Sequence, residues 1–271
     1  MLEIAKNYIL STHGPLDMVE HIVKVPGISL NVYSFLLDGV LIDTASPGLH
    51  TQFFDFIAQK NVEHIIHTHL HEDHIGNTAD MIEKFGIEAH IHPLSVAKTT
   101  LEMRLPAYRQ TVWGPPPKPF ISQPLSNTFT SANDRWAIIP TPGHTQDHVA
   151  LYNQQHGYLF TGDLFVTPKP KIVLIDENIL DTMASLEKVL TYDFDTMICH
   201  HAGVIENGRE LVQMKLDYLQ EIQQRVHKLA REGNDVFEVT QQLFPKHYPI
   251  VEQSHTEWSA MHMVRVFMNQ R

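Results

Sequence analysis

Between Asn61 and Gly76 the chain reads NVEHIIHTHLHEDHIG, a stretch that holds five of its nineteen histidines. An apolar run of strand length gives way to His69, His71, Asp73 and His74, spaced as H-x-H-x-D-H. At the end of an extended strand residues two apart point the same way, so His69 and His71 can face one point. A helix beginning near Asp73 would aim Asp73 and His74 at a neighbouring point. The spacing suits two metal centres side by side, neither of which these four side chains can close alone. Imidazole with carboxylate suits zinc, and iron or manganese as alternatives. An expression tag would be contiguous and terminal, whereas this cluster is internal, interleaved with acid and bounded by a strand and a helix. Such a chain must fold so that distant residues converge on one strand end.

The rest of the composition sets bounds. With 271 residues, 43% hydrophobic and 19% charged, the chain can build one sizeable core, with room for a small appendage. The opening MLEIAKNYILSTHGPLD lacks a basic n-region, a long apolar run and a cleavage site, and is read as carrying no secretory signal. No apolar run approaches the roughly 18 residues of a membrane span. Cys199 is the single cysteine, which excludes a disulfide framework and makes a reducing cytoplasm the simplest address. Net charge of −11 argues against a protein built to grip phosphate backbones. That acidity sits before Val204; from there to the end, 8 basic and 9 acidic residues nearly cancel.

Strand-like and helix-like stretches alternate in both halves. HIVKV from His21 and ISLNVYSFLLDGVLIDT from Ile28 read as strands, the latter a hairpin turning at Asp38-Gly39. GLHTQFFDFIAQK has Leu49, Phe53 and Ile57 at helical spacing. HIIHT reads as a buried strand, GNTADMIEKFG as a helix closed by Gly86, and IEAHIHP as another strand. In this reading His67 belongs to the strand, His64 to the surface, and His90 and His92 are structural. Thr99 to Gln123 contains WGPPPKPF, whose three prolines forbid a helix or central strand there, giving a stiff surface excursion. RWAIIPTPGHT, DHVALYN, GYLFTGDLF and DTMICHHAG are four further strand-like segments, each ending in polar residues. From Asn207 onward the pattern is helical, first to Gly233, then around VFEVTQQLF and TEWSAMHMVRVFMNQ. The expected division is residues 1–206 as a catalytic unit of two sheets with helices outside, and 207–271 as a helical extension.

THLHEDH resembles the signature of the metallo-β-lactamase superfamily, and matching segments follow in the family's order: TPGHT with His144, FTGDLF with Asp163, and ICHHAGVIENG with a late histidine. The resemblance covers roughly residues 20 to 207. It implies an α+β, four-layer αββα sandwich with the metals at one sheet edge. It further implies one site from His69, His71 and His144, a second from Asp73, His74 and the late histidine, and Asp163 bridging both. His200 and His201 are both open as the late ligand. The family's small residue and turn after the ligand favour His201, leaving His200 as a packed or supporting residue. Asp43, in VLIDTASPG, matches a position that supports a metal ligand through a hydrogen bond. Cys199 reads as a small core residue.

Two adjacent divalent cations lower the pKa of a shared water toward neutrality and supply a nucleophile without any serine or cysteine. The resemblance thus implies a binuclear metal-dependent hydrolase of a small thioester, lactone or related ester. Asp73 and Asp163 would orient the nucleophile and carry its proton. The oxygen-reducing di-iron relatives carry an acid where this chain has His71, which favours the hydrolases. Arg104, Tyr108, Arg109 and Trp113, with Pro168 to Lys171 opposite, are candidate substrate contacts. The C-terminal segments resemble the winged-helix-like tail of proteins related to glyoxalase II, some of which are endoribonucleases. RNA cleavage is therefore an alternative, disfavoured by the lack of a basic stripe. A non-catalytic metal-binding module is a third reading, disfavoured because a structural zinc site needs no bridging acid. The extension can also serve as a dimer contact. His255, Trp258, His262 and Met263 are expected to pack.

Overall fold

The structure, a computed structural model, describes residues 5–25 and 28–269. Met1 to Ile4, part of the opening read for an export signal, and Gln270 at the end of the last helical segment lie outside the described residues. Seven strands form the first sheet in simple chain order: β1 (Ala5–His13), β2 (Leu16–Val25), β3 (Ile28–Leu37), β4 (Val40–Ile42), β5 (His64–Ile66), β6 (Glu88–Ile91) and β7 (Gln123–Pro124). The first four run antiparallel. Leu37 pairs with Val40 across Asp38-Gly39, and both turn residues have positive φ, 48° and 76°. That is the two-residue turn whose twist matches a hairpin, which is why Asp-Gly stands there.

From β4 onward neighbours are parallel, so each connection must cross over outside the sheet. The crossovers are α1 (His50–Ile57), then the single turn α2 (Glu72–Ile75) with α3 (Thr78–Phe85), then the excursion. Gly86, at φ 68°, caps α3 in the left-handed conformation. The excursion holds a helix the prolines did not announce, α4 (Ala107–Trp113), which stops at Gly114 just before Pro115.

The second sheet is built from β8 (Thr128–Thr130), β9 (Arg135–Pro140), β10 (Val149–Asn153) and β11 (Tyr158–Gly162) as an antiparallel meander. After a short strand β12 (Val173–Leu174) and helix α5 (Ile179–Val189), β13 (Thr196–Cys199) returns parallel to β11, and β14 (Gly203–Ile205) closes the edge. The chain ends in α6 (Gly208–Arg231), α7 (Val236–Leu243), α8 (Pro249–Gln253), β15 (Trp258–Ser259) and α9 (Ala260–Met268). β15 pairs with β12, so the C-terminal segment is hydrogen-bonded to the loop that follows β11.

Three apolar clusters separate four layers. Val19, Leu41, Phe53, Ile65 and Met81 join the first sheet to its outer helices. Phe35, Ile66, Trp136, Leu151 and Phe160 fill the space between the sheets. Leu159, Leu186, Met197, Leu219, Met263 and Phe267 join the second sheet to α5, α6 and α9. This is the four-layer αββα sandwich that the resemblance implies. The C-terminal helices thus share one core with the second sheet. Among the described residues no helix is long and apolar enough to cross a membrane.

Two local readings differ from the sequence. AKNYILSTH forms the edge strand β1, yet nearly all its side chains are exposed, so no buried face marked it as a strand. His64 lies on β5 and packs on Phe129 and His90 (ring centroids 5.1 and 5.8 Å), while fully buried His67 follows the strand. The strand ends at Ile66, two residues short of the HIIHT reading; the His67 amide still donates to the His90 carbonyl at 2.9 Å, while its ring meets Asp43 and Thr78.

Candidate metal centre

The described residues bring the predicted donors to one place, where β5 ends and the loops after β9, β11 and β13 meet. His71 Nδ1 lies 3.0 Å from both His69 Nε2 and His144 Nε2, and His144 Nε2 lies 3.3 Å from Asp163 Oδ2. On the other side His74 Nε2 and His201 Nε2 approach the second oxygen, Asp163 Oδ1, at 3.4 and 3.2 Å. Asp73 Oδ2 is 3.7 and 3.6 Å from the same two nitrogens. Donor atoms in each set, His69–His71–His144–Asp163 and Asp73–His74–His201, lie within 4.8 Å of one another. One carboxylate therefore faces two clusters.

The surrounding hydrogen bonds aim the rings. His201 Nδ1 donates to the Asn31 carbonyl at 2.7 Å, leaving the Nε2 lone pair toward Asp163. The Thr68 hydroxyl donates to Asp43 Oδ2 at 2.7 Å, so it can only accept from His69 Nδ1 at 3.0 Å, and His69 also presents Nε2. Asp43 is fully buried and takes His74 Nδ1 at 2.6 Å on Oδ2 and the Thr68 amide at 2.9 Å on Oδ1, with His200 Nε2 in ion-pair range of Oδ2 at 3.0 Å. His200 stands edge-on to Phe35, and Asp43, His74 and His200 form a third, fully buried group of donor atoms within 4.8 Å of one another.

The electrostatics follow from this packing. Burial alone would raise the Asp163 carboxyl, but the His201 and His74 rings override it and hold it well below the usual carboxylate range. His200 and His74 do the same for Asp43. Burial pushes His69 and His71 well down, and neighbouring rings add to it. Burial opposes charge on His201, yet Asp163 and Asp73 bring it up to about 9. Against their burial, the nearby carboxylates likewise favour charge on His74 and His144, so of the five donor rings only His69 and His71 are held neutral, and a divalent cation would have to displace the protons of the other three.

A cation fits this site by a direct criterion. His74 Nε2 and Asp163 Oδ1 are buried without a hydrogen-bond partner, a costly state in a protein interior that a shared cation relieves. The buried His and Asp clusters thus have the chemistry of a metal site.

The profile of the metallo-beta-lactamase superfamily matches residues 29–201, well over half of the chain. The chain belongs to the metallo-beta-lactamase superfamily. Among the relatives of this superfamily member is the beta-lactamase-like protein 2 homolog of Caenorhabditis elegans, 23% identical over 215 residues, covering 76% of this chain and 66% of that protein. A hydroxyacylglutathione hydrolase of Nitrosomonas eutropha is 27% identical over 173 residues, 60% of this chain and 57% of that one. The matches to these two span less than two thirds of their length. The probable metallo-hydrolase YybB of Bacillus subtilis is 30% identical over 181 residues, covering 62% of this chain and 79% of the relative. A metallo-beta-lactamase family protein of Thermus thermophilus shares the fold at TM-score 0.67 and 18% identity, covering 95% of this chain and 92% of that one.

Several supporting residues gave no local signal in the sequence. Glu177 Oε1 lies 3.3 Å from His144 Nδ1 and accepts the Leu174 amide at 3.1 Å. His148 Nε2 accepts the Asp163 amide at 3.0 Å, and buried Lys215 of α6 donates to the Leu164 carbonyl at 2.6 Å. Both fix the turn that carries Asp163. Of the candidate substrate contacts, Arg104 is exposed, and Trp113 packs against the first sheet's outer core. Burial and the adjacent Glu257 carboxylate push the half-buried Tyr108 phenol up. Arg109 is held by Glu72 at 2.6 and 2.7 Å. In the facing loop Lys171 donates to the Tyr218 hydroxyl at 3.1 Å. Cys199 is buried, its thiol pushed up to about 11 by burial and donating to the Phe165 carbonyl at 2.6 Å.

Proposed function

We propose that this chain is a binuclear metal-dependent hydrolase that cleaves a small thioester, lactone or related carboxylic ester. The observation that carries the reading is Asp163, whose two carboxylate oxygens face separate donor sets at 3.2–3.4 Å. His69, His71 and His144 would hold one cation and Asp73, His74 and His201 the other, with Asp163 shared. Zinc is the best match to this mixture of imidazole and carboxylate, with iron or manganese accepted by the same donors. When bound, such cations lower the pKa of water to near neutrality and polarise a carbonyl oxygen. Asp73 and Asp163 are the carboxylates placed to hold and pass on the proton released at that step. Asp43, Glu177 and the Asn31 carbonyl keep the rings oriented through the reaction.

A small ester or thioester is favoured over RNA because the chain carries a net charge of −11. The name of the Nitrosomonas relative, a hydroxyacylglutathione hydrolase, makes thioesters the first class to try. The test is metal analysis of protein grown in defined medium, followed by thioester, lactone and phosphodiester panels on the same sample. About two equivalents of metal with turnover of a carboxylic ester or thioester is the expected result. Two equivalents without turnover, or cleavage confined to single-stranded RNA, would overturn the substrate class. Full activity in Asp163→Asn would overturn the mechanism.

A further inference from the structure

Glu72 sits between His71 and Asp73, and its side chain is 1% exposed, an unusual place for a carboxylate. Both its oxygens are taken by Arg109 of α4, Nε at 2.6 Å and Nη2 at 2.7 Å, the two-pronged geometry that fixes orientation as well as charge. The third nitrogen, Nη1, lies 3.5 Å from Glu257 Oε1 in the C-terminal segment. Every guanidinium nitrogen of Arg109 thus faces a carboxylate of its own chain.

The two helices joined by this pair also rest on the same turn, residues 44–48. At the end of α2, the Gly76 amide donates to the Ala45 carbonyl at 2.8 Å, and a Cβ there would lie 2.4 Å from that oxygen. The Thr44 amide donates to the His74 carbonyl at 2.7 Å. At the end of α4, Gly48 is so close to Trp113 that a Cβ would lie 2.6 Å from its carbonyl oxygen. Turn, α4, Arg109, Glu72 and α2 form a closed ring, and α2 carries Asp73 and His74. Glu257 extends the ring to the opposite side of the metal edge. Its carbonyl accepts the Ile175 amide at 2.9 Å, and the adjacent Leu174 amide donates to Glu177, the partner of His144.

We propose that Arg109 is a positioning residue that, through Glu72 and Glu257, locks α2 to the C-terminal segment and so holds the two donor sets in register. This rests on the metal reading above for its consequence, but its structural part does not. A buried bidentate pair resists replacement of either partner, because the survivor is left charged and unpaired. Lysine keeps the charge of Arg109 but loses the fork.

The experiment compares wild type with Arg109→Met, Arg109→Lys, Glu257→Gln and the double variant Glu72→Gln/Arg109→Met. In metal-stripped protein, amide hydrogen exchange at Ile75 and Gly76 is expected to rise roughly tenfold in Arg109→Met, with β2 and β3 unchanged. Glu257→Gln, which leaves the inner pair intact, shows a smaller rise in the same amides. In zinc-loaded protein, Arg109→Met loses zinc to a competing chelator roughly 10–100-fold more readily, and Arg109→Lys falls between. The double variant is no worse than Arg109→Met, since the two side chains act as one unit. Exchange at Ile75 and Gly76 that matches wild type in both Arg109 variants would overturn the proposal. Wild-type protein that takes up no zinc sinks the metal reading, while the exchange contrast still decides the role of Arg109.

Discussion

Asp43→Asn isolates the charge on which the buried side of the centre depends. Asparagine keeps the size of the side chain and tolerates the left-handed backbone at this position, φ 58°. The carboxylate meets five groups: His74 Nδ1, the Thr68 hydroxyl and His200 Nε2 on one oxygen, and the Thr68 amide and His67 Nδ1 on the other. A carboxamide has a single acceptor oxygen. Kept toward His74, it turns its NH2 group onto the Thr68 amide, donor against donor. One buried donor left unpaired costs about 1–3 kcal/mol, and losing the charge assistance to His74 about 1 kcal/mol more. At about 2–4 °C per kcal/mol in a domain of this size, metal-stripped Asp43→Asn should melt about 5–15 °C below wild type. The misaimed His74 ring should also weaken zinc retention roughly 10–100-fold against a chelator. Melting within about 2 °C of wild type, together with unchanged zinc retention, would show that Asp43 neither holds the fold nor aims His74.

His201→Ala should reduce bound zinc from about two equivalents toward one, whereas His200→Ala keeps both and only lowers the melting temperature, by metal analysis and thermal unfolding. His21 is buried with neither ring nitrogen hydrogen-bonded, and burial pushes it down to about 3. Because its folded pKa lies below the unfolded value of about 6.5, its contribution is full above that pH and fades as the pH falls toward 3. Urea melts should therefore show metal-stripped wild type losing about 2 kcal/mol of stability relative to His21→Leu between pH 7 and pH 5. A pH-independent difference would refute that assignment. Phe267 is fully buried in the cluster shared by α9 and the second sheet. Phe267→Ala should cost about 3–5 kcal/mol in denaturant unfolding, within a single transition that includes the C-terminal helices.

The donors of the centre were legible because their spacing is local chemistry: H-x-H-x-D-H needs only the twofold alternation of a strand followed by one helical turn. His144, Asp163 and the histidine pair at 200–201 were legible only through the resemblance of TPGHT, FTGDLF and ICHHAGVIENG to the family's segments, because no local spacing ties them to the cluster. The four layers were readable from the same alternation of strand and helix patterns. What tertiary structure alone decided is which of those groups meet. His200 and His201 are adjacent and chemically identical, yet Phe35 and Asp43 occupy one while the Asn31 carbonyl turns the other toward Asp163. Glu177 at His144 and Arg109 on Glu72 pair residues 33 and 37 positions apart. No periodicity encodes such pairs, because they arise only when separate loops are packed at one sheet edge. β1 escaped notice for the opposite reason: a strand defined by backbone pairing with exposed side chains leaves no apolar pattern to read.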